Sequence, residues 1–243
     1  VRARGLQSNN NLDANSGDST AAGEVFIGRT SANATNLRIA GERHVSALAK
    51  IASITNANPD ANDSNVPTGI APFGQFKVTA ASHTNSLNGM NKFVLSGVVF
   101  SVNATNVILN SSGFYIYNKA DATQKVQCYP FFNDSSNRMT MSSSGSFIVE
   151  CKTLKGSVVN TTVDQGASAT FVLEGNVTNA KVGSNTSSLQ ASLNRFTSSS
   201  QLNFGTHNST RNYLTWLDED TSTTIFYWIE YPETVVKSTS YKS

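Results

Sequence analysis

Apolar and polar residues alternate along most of the chain from about residue 44 onward. In GQFKVTAA, Phe76, Val78 and Ala80 fall on one face, and Gln75, Lys77 and Thr79 fall on the other. HVSALAKIASITNA suits a helix by its Ala, Leu and Lys, but Val45, Ala47, Ala49 and Ile51 alternate with Ser46, Lys50 and Ala52, which favours a strand. A repeat of two is the signature of a half-buried strand. NKFVLSGVVFSVNATNVIL is apolar on both faces, which predicts a central strand covered on both sides. FYIYN, KVQCYPFF, SFIVEC, ATFVLEGNV, SLQASLNRF, YLTWL and TTIFYWIEY follow, each bounded by Asn, Gly, Ser or Asp. Many short strands separated by turn residues, with no convincing helix, predict an all-β antiparallel sandwich.

The same pattern divides the chain. Residues 1–41 read as an extended N-terminal arm, because VRARGLQSNNNLDANSGDSTAA is nearly devoid of apolar side chains. Within the arm stands one β-prone segment, Glu24, Val25, Phe26 and Ile27, cut off by TSANATN. It reads as an isolated assembly strand that must find a sheet edge, in its own chain or in a neighbour's. Residues 42–243 form the sandwich domain; a division into two smaller sandwiches near NKADATQ stays open.

Composition changes the picture by subtraction. Of 243 residues only 14% are charged, while 27 are Asn and 58 are Ser or Thr. A neutral, hydrogen-bonding surface of this kind suits crowded extracellular assemblies. The net charge of +2, with its Lys and Arg scattered, gives no nucleic-acid footprint. No apolar run approaches the length of a membrane span, and the closing KSTSYKS has no hydrophobic tail. Cys128 and Cys151 lie in two strand-like segments joined by a turn-rich connection. If they bond, the bridge stabilises by roughly 3 kcal/mol in the chain-entropy model; the alternative is a pair of buried thiols.

Candidate chemistry is sparse. His44, His83 and His207 stand far apart, and no nucleophile elbow, zinc or phosphate-loop motif occurs. Trp216 and Trp228 flank the acidic DEDTSTT, but the apolar surroundings of Trp228 favour core packing over a sugar-stacking platform. Nine Asn-x-Ser/Thr sequons, including Asn62, Asn103, Asn110 and Asn160, make attached glycans an option. They are a mild excess over what so much Asn, Ser and Thr produces by chance. The loop NPDANDSNVPTG places Asp60, Asn62 and Ser64 at alternate positions, the opening rhythm of a calcium loop. The EF-type rule needs Gly at position six and Glu at position twelve, where this chain has Asn65 and Ala71. Asp60, Asn62 and Asp63 stay as candidates for a looser calcium site, against the default of a surface turn.

The order EVFIG, HVSALAKIASITNANPDANDSNVPTGI, FGQFKVTAASHTN, NKFVLSGVVFSVNATNV and FYIYNKAD resembles surface-layer-type proteins of candidate-phyla-radiation (Patescibacteria) bacteria. VDQGASATFVLEGNVTN, SLQASLNRF and FYWIEYPETVVKSTSY fit the same pattern. The resemblance implies an exported cell-surface protein with an Ig-like β-sandwich that assembles with copies of itself, with no catalytic residues to carry over. The chain is short for such a protein, and no anchoring domain is visible. The expectation is therefore a structural, extracellular homopolymer subunit of a layer or filament, with no enzymatic activity. A carbohydrate- or host-surface-binding adhesin is the alternative.

Overall fold

The computed structural model describes residues 24–27, 37–40, 51–82, 92–132, 139, 143–183, 185–193, 214–218, 225–226 and 235–243. They fall into two compact units, Val1–Ala47 and Leu48–Ser243. In the first, β1 (Glu24–Ile27) pairs antiparallel with β2 (Leu37–Ala40), Glu24 opposite Ala40 and Ile27 opposite Leu37. The strand expected to be isolated therefore has a partner within its own chain. The sequence hid it because LRIA is only four residues long and TSANATN, read as a separator, lies in the connection between the strands.

The second unit is all antiparallel β apart from one three-residue 3-10 turn, Pro59–Ala61, among the described residues. Its strands are β3 (Ile51–Asn56), β4 (Gly69–Ala80), β5 (Phe93–Asn118), β6 (Asp121–Gln127), β7 (Tyr129–Phe132), β8 (Ser143–Cys151) and β9 (Thr162–Val163). They continue with β10 (Ser168–Asn179), β11 (Ser188–Leu193), β12 (Leu214–Asp218), β13 (Ile225–Phe226), β14 (Val236–Lys237) and β15 (Tyr241–Lys242). Residues 44–50 of the segment expected as a strand lie outside the described residues; Ile51–Asn56 is extended.

The 26-residue β5 organises this unit. Its first half pairs with β8, β9, β11 and β12; its second half pairs with β10 and β6 and meets β8 once more, at Leu109 opposite Ser143. Between the halves Asn106 takes φ 52, a left-handed conformation that Asn tolerates better than most residues. One continuous strand thus serves both layers of a sandwich-like fold, so the division near residue 120 does not occur: NKADATQ is the β5–β6 turn and the start of β6. FYIYN, expected as a separate strand, is the end of β5. The turn-like NSSG before it becomes a bulge, four residues (Ser111–Phe114) facing only Gly175 between the register pairs Asn110–Asn176 and Tyr115–Glu174.

The inner faces carry the predicted alternation. Phe73, Phe76, Val78 and Ala80 of β4 are buried, as are Leu189, Ala191 and Leu193 of β11. Across the layers Phe76 stacks on Phe100 at 5.3 Å, and Phe114 meets Phe147 edge-on at 5.8 Å. Trp216 is fully buried on β12, opposite Leu95.

The Asn-rich composition has a local use. The side-chain oxygens of Asn56, Asn110, Asn118, Asp121, Asn160 and Asn179 each accept the backbone N–H two residues on. These Asx-turns bend or end strands without help from tertiary packing.

Gly175 lies where β10 passes closest to the aromatic core: a Cβ there would stand 2.6 Å from Phe73 Cε1 and 3.3 Å from Phe114 Cε1. Gly175→Ala is expected to lower stability by about 1–3 kcal/mol through forced repacking. Urea unfolding of the variant against the parent chain measures it, and an unchanged midpoint would contradict this packing.

Candidate functional site

The loop Asn58–Val66 and the segment 235–243 form one hydrogen-bonded unit. The loop is shaped locally first. Asn58 N–H donates to Asn56 Oδ1 at 2.9 Å, Pro59 opens the 3-10 turn, and Asn62 N–H donates to Pro59 O at 3.1 Å. Asp63 then takes φ 64, which turns the chain back along the sheet.

Side chains and backbone of this loop accept and donate along the C-terminal segment. Thr239 Oγ1 donates to Asn58 O, Ser240 N–H to Asn62 Oδ1 at 2.9 Å, and Lys242 N–H to Ser64 O at 2.9 Å. In return Asp63 N–H donates to Ser240 O at 2.7 Å and Val66 N–H to Ser243 Oγ at 3.0 Å. The Lys242 ammonium lies 2.6 Å from Asp63 Oδ1 in an exposed pair, the kind of contact that contributes little by itself.

Of the three candidate calcium ligands, then, Asn62 directs its oxygen to a backbone N–H and Asp63 to an ammonium, while Asp60 lies on the 3-10 turn. Among the described residues no three His, Cys, Asp or Glu side chains converge on a metal-sized space. In this structure the oxygens spaced along the loop hold a strand.

The other edge of the same segment pairs with β11. Leu189 faces Tyr241, Ser188 faces Lys242, and Ser187 and Ser243 exchange both backbone hydrogen bonds. Further along, Ser238 N–H donates to Ala191 O at 2.9 Å, so Thr239 and Ser240 together oppose Gln190 alone. Gln190 Nε2 reaches Ser238 O at 2.9 Å across this bulge. The buried Ser238 hydroxyl accepts Ala191 N–H at 3.1 Å and donates toward Phe73 O at 3.1 Å. KSTSYKS gave no strand signal because nearly every side chain in it is polar.

Cys128 and Cys151 are bonded, both fully buried, with Cα atoms 4.5 Å apart. The β7–β8 register places Tyr129 opposite Glu150, so the cysteines are the next directly opposed pair. Their spacing is that of a pair that does not exchange backbone bonds, and Cys128 N–H instead donates to Phe114 O at 2.9 Å. KVQCYPFF is accordingly two strands joined at Cys128.

On the outer face of the other layer, Lys125 of β6 reaches both oxygens of Glu174 on β10 at 2.7 Å. Its ammonium also lies 4.9 Å from the ring centroid of Tyr117 on the strand between them. Burial, and then the Glu174 carboxylate, raise the Tyr117 phenol above its ordinary value. A cleft of about 470 Å³ beside the β5–β6 turn is lined by Asn118, Asn160, Thr162, Asp164 and Ser168. Its amides and hydroxyls mostly serve neighbouring turns: Asn118 Nδ2 donates to Asn160 O, and Ser168 Oγ bonds Thr79 Oγ1.

Several expectations fall outside the described residues: all three histidines, Trp228, and the sequons at Asn33, Asn133 and Asn208. Trp216 is described, and its complete burial removes it as a sugar-stacking surface.

No protein-family model matches this chain, and no curated protein does. Among solved structures it is similar to one described as "AvmM Catalyzes Macrocyclization in Alchivemycin A Biosynthesis", with 10% identity over 69% of this chain and 86% of that one. The TM-score is 0.26, too low to carry an argument about fold or activity.

Two outcomes follow from this geometry. Replacing both Cys128 and Cys151 by Ser is expected to cost about 3 kcal/mol, read as the shift in urea midpoint against the oxidised chain. For Tyr117, a folded-state pKa above the unfolded value of 10.0 means that folding favours the neutral phenol. Its contribution is full below that value and is lost as pH rises from there through the folded pKa. Stability should therefore fall more steeply above pH 10 in the parent than in Tyr117→Phe. Parallel alkaline losses in the two chains would refute the assignment.

Proposed function

We propose that this chain is a structural, self-assembling cell-surface protein, a subunit of an extracellular layer or filament rather than an enzyme. The observation that carries the reading is the arm. Val1–Ala47 is a unit of its own whose described structure is one hairpin of two four-residue strands. A lone two-stranded hairpin is marginal in water, so it calls for a surface to complete. Among the described residues β1 and β2 pair only with each other, which leaves an outer edge on each for strand addition. In this reading Glu24–Ile27 reaches the neighbour as part of a ribbon rather than as a single donated strand.

Other features support the same reading. The disulfide suits an oxidising exterior, no helix among the described residues is long and apolar enough to cross a membrane, and the neutral Asn-, Ser- and Thr-rich composition avoids strong repulsion between close-packed copies. The resemblance to surface-layer-type proteins with an Ig-like sandwich points the same way. The adhesin reading loses its stacking residue with the burial of Trp216.

Negative-stain microscopy of the full chain, of a chain lacking residues 1–47, and of Val25→Pro tests the proposal. Ordered lattices or filaments are expected from the full chain and are lost in both variants, while circular dichroism keeps the sandwich signal. A full chain that stays monomeric, or variants that assemble unchanged, would overturn it.

A further inference from the structure

The segment 235–243 is held the way a receptor holds a peptide. One wall of its groove is β11, the other is Asn58–Val66, and the floor includes the carbonyl of Phe73. An empty groove would strand the polar groups of Asn58, Ser64, Phe73, Ser187 and Ala191 that now bond to the segment. Filling the groove gives these groups direct partners in place of water.

What fills it is specified by polar chemistry more than by apolar bulk. Ser238, Thr239 and Tyr241 are its buried side chains, and two of the three act through hydroxyls. The bulge opposite Gln190 fixes the register, so a generic strand cannot slide in. A segment that fits must carry hydroxyls at the places of Ser238 and Thr239, and a second copy of this chain supplies that match.

Resting on the self-assembly reading, we infer that this groove is a subunit-joining site whose occupant in the assembly is the 235–243 segment of a second copy. The contacts made by a copy's segment are identical to those made within the chain, so exchange changes little in contact energy. Effective concentration then decides which segment is bound. In dilute solution the chain's own segment wins; in a packed array the neighbour's segment competes. This link is separate from the arm hairpin and uses only the sandwich.

Ser188 and Lys242 give the test. They oppose each other next to the Ser187–Ser243 pair that exchanges backbone bonds, so they form the closer kind of cross-strand pair. Both side chains reach solvent, and the native cysteines are already bonded and buried. Full-length Ser188→Cys and Lys242→Cys chains are made separately, mixed under assembling conditions, oxidised and run on a non-reducing gel. Covalent dimers are expected from the mixture and not from either variant alone. The chain carrying both substitutions, kept dilute, is expected to close within itself as a monomer, which fixes the geometry. Particles by negative stain with only monomers from the mixture would overturn the exchange and leave self-assembly standing. Absence of particles would overturn both, and failure of the doubly substituted chain to close would overturn the groove register itself.

Discussion

The backbone ladder along β5 is the constraint from which the sandwich follows. Six strands hydrogen-bond to it, and they belong to two layers. A straight strand of that length would run out of the domain, so β5 has to bend and still leave its polar groups paired. Asn106 supplies the bend through a left-handed φ, and its side chain donates to Thr186 O at 2.8 Å. The neighbouring loop closes on the same point, where Val182 N–H donates to Asn106 O at 2.8 Å. These contacts hold the layers against each other, and the aromatic contacts of Phe76, Phe100, Phe114 and Phe147 fill the space between them.

Around this frame the same residue types do two different jobs. Asn oxygens at five places and the Asp121 carboxylate at a sixth close local Asx-turns that bend, end or open strands. Ser, Thr and Asn also reach across long sequence separations, as in Ser238 to Phe73 or Asn62 to Ser240. Few charges are needed for either task, which accounts for a chain with so little Asp, Glu, Lys and Arg. The charged cluster that is built in, Lys125 with Glu174 and Tyr117, clamps β6 and β10 across β5 at the far end of the strand.

Strands whose burial alternates were legible in the sequence: Phe76, Val78 and Ala80 were placed on the correct face by period alone. So was the cysteine pairing as one of two options, because directly opposed strand positions bring two thiols together. What could not be read was any feature decided by a partner distant in sequence. NSSG looks like a turn, and only the close approach of Gly175 makes it a bulge within β5. LRIA is too short to show a period, so the partner of Glu24–Ile27 was invisible. KSTSYKS has no apolar face at all and is a strand because a groove supplies both of its edges.

NPDANDSNVPTG shows why a metal loop and a strand acceptor read alike. Both require oxygen atoms presented at regular intervals by a backbone that cannot itself form a ladder. A metal gathers those oxygens toward one point; a strand needs them spread out along its length. Here the acceptors run from Asn58 O through Asn62 Oδ1 to Ser64 O, and they receive Thr239, Ser240 and Lys242 in order. Successive acceptors meeting successive residues of one extended segment is the arrangement of a sheet edge. Asn62 stands in for a backbone carbonyl in it, because an amide oxygen on a short side chain extends past a turn that the main chain cannot flatten. The loop is thus an edge strand in function though not in conformation, and the segment it captures is bonded along both sides.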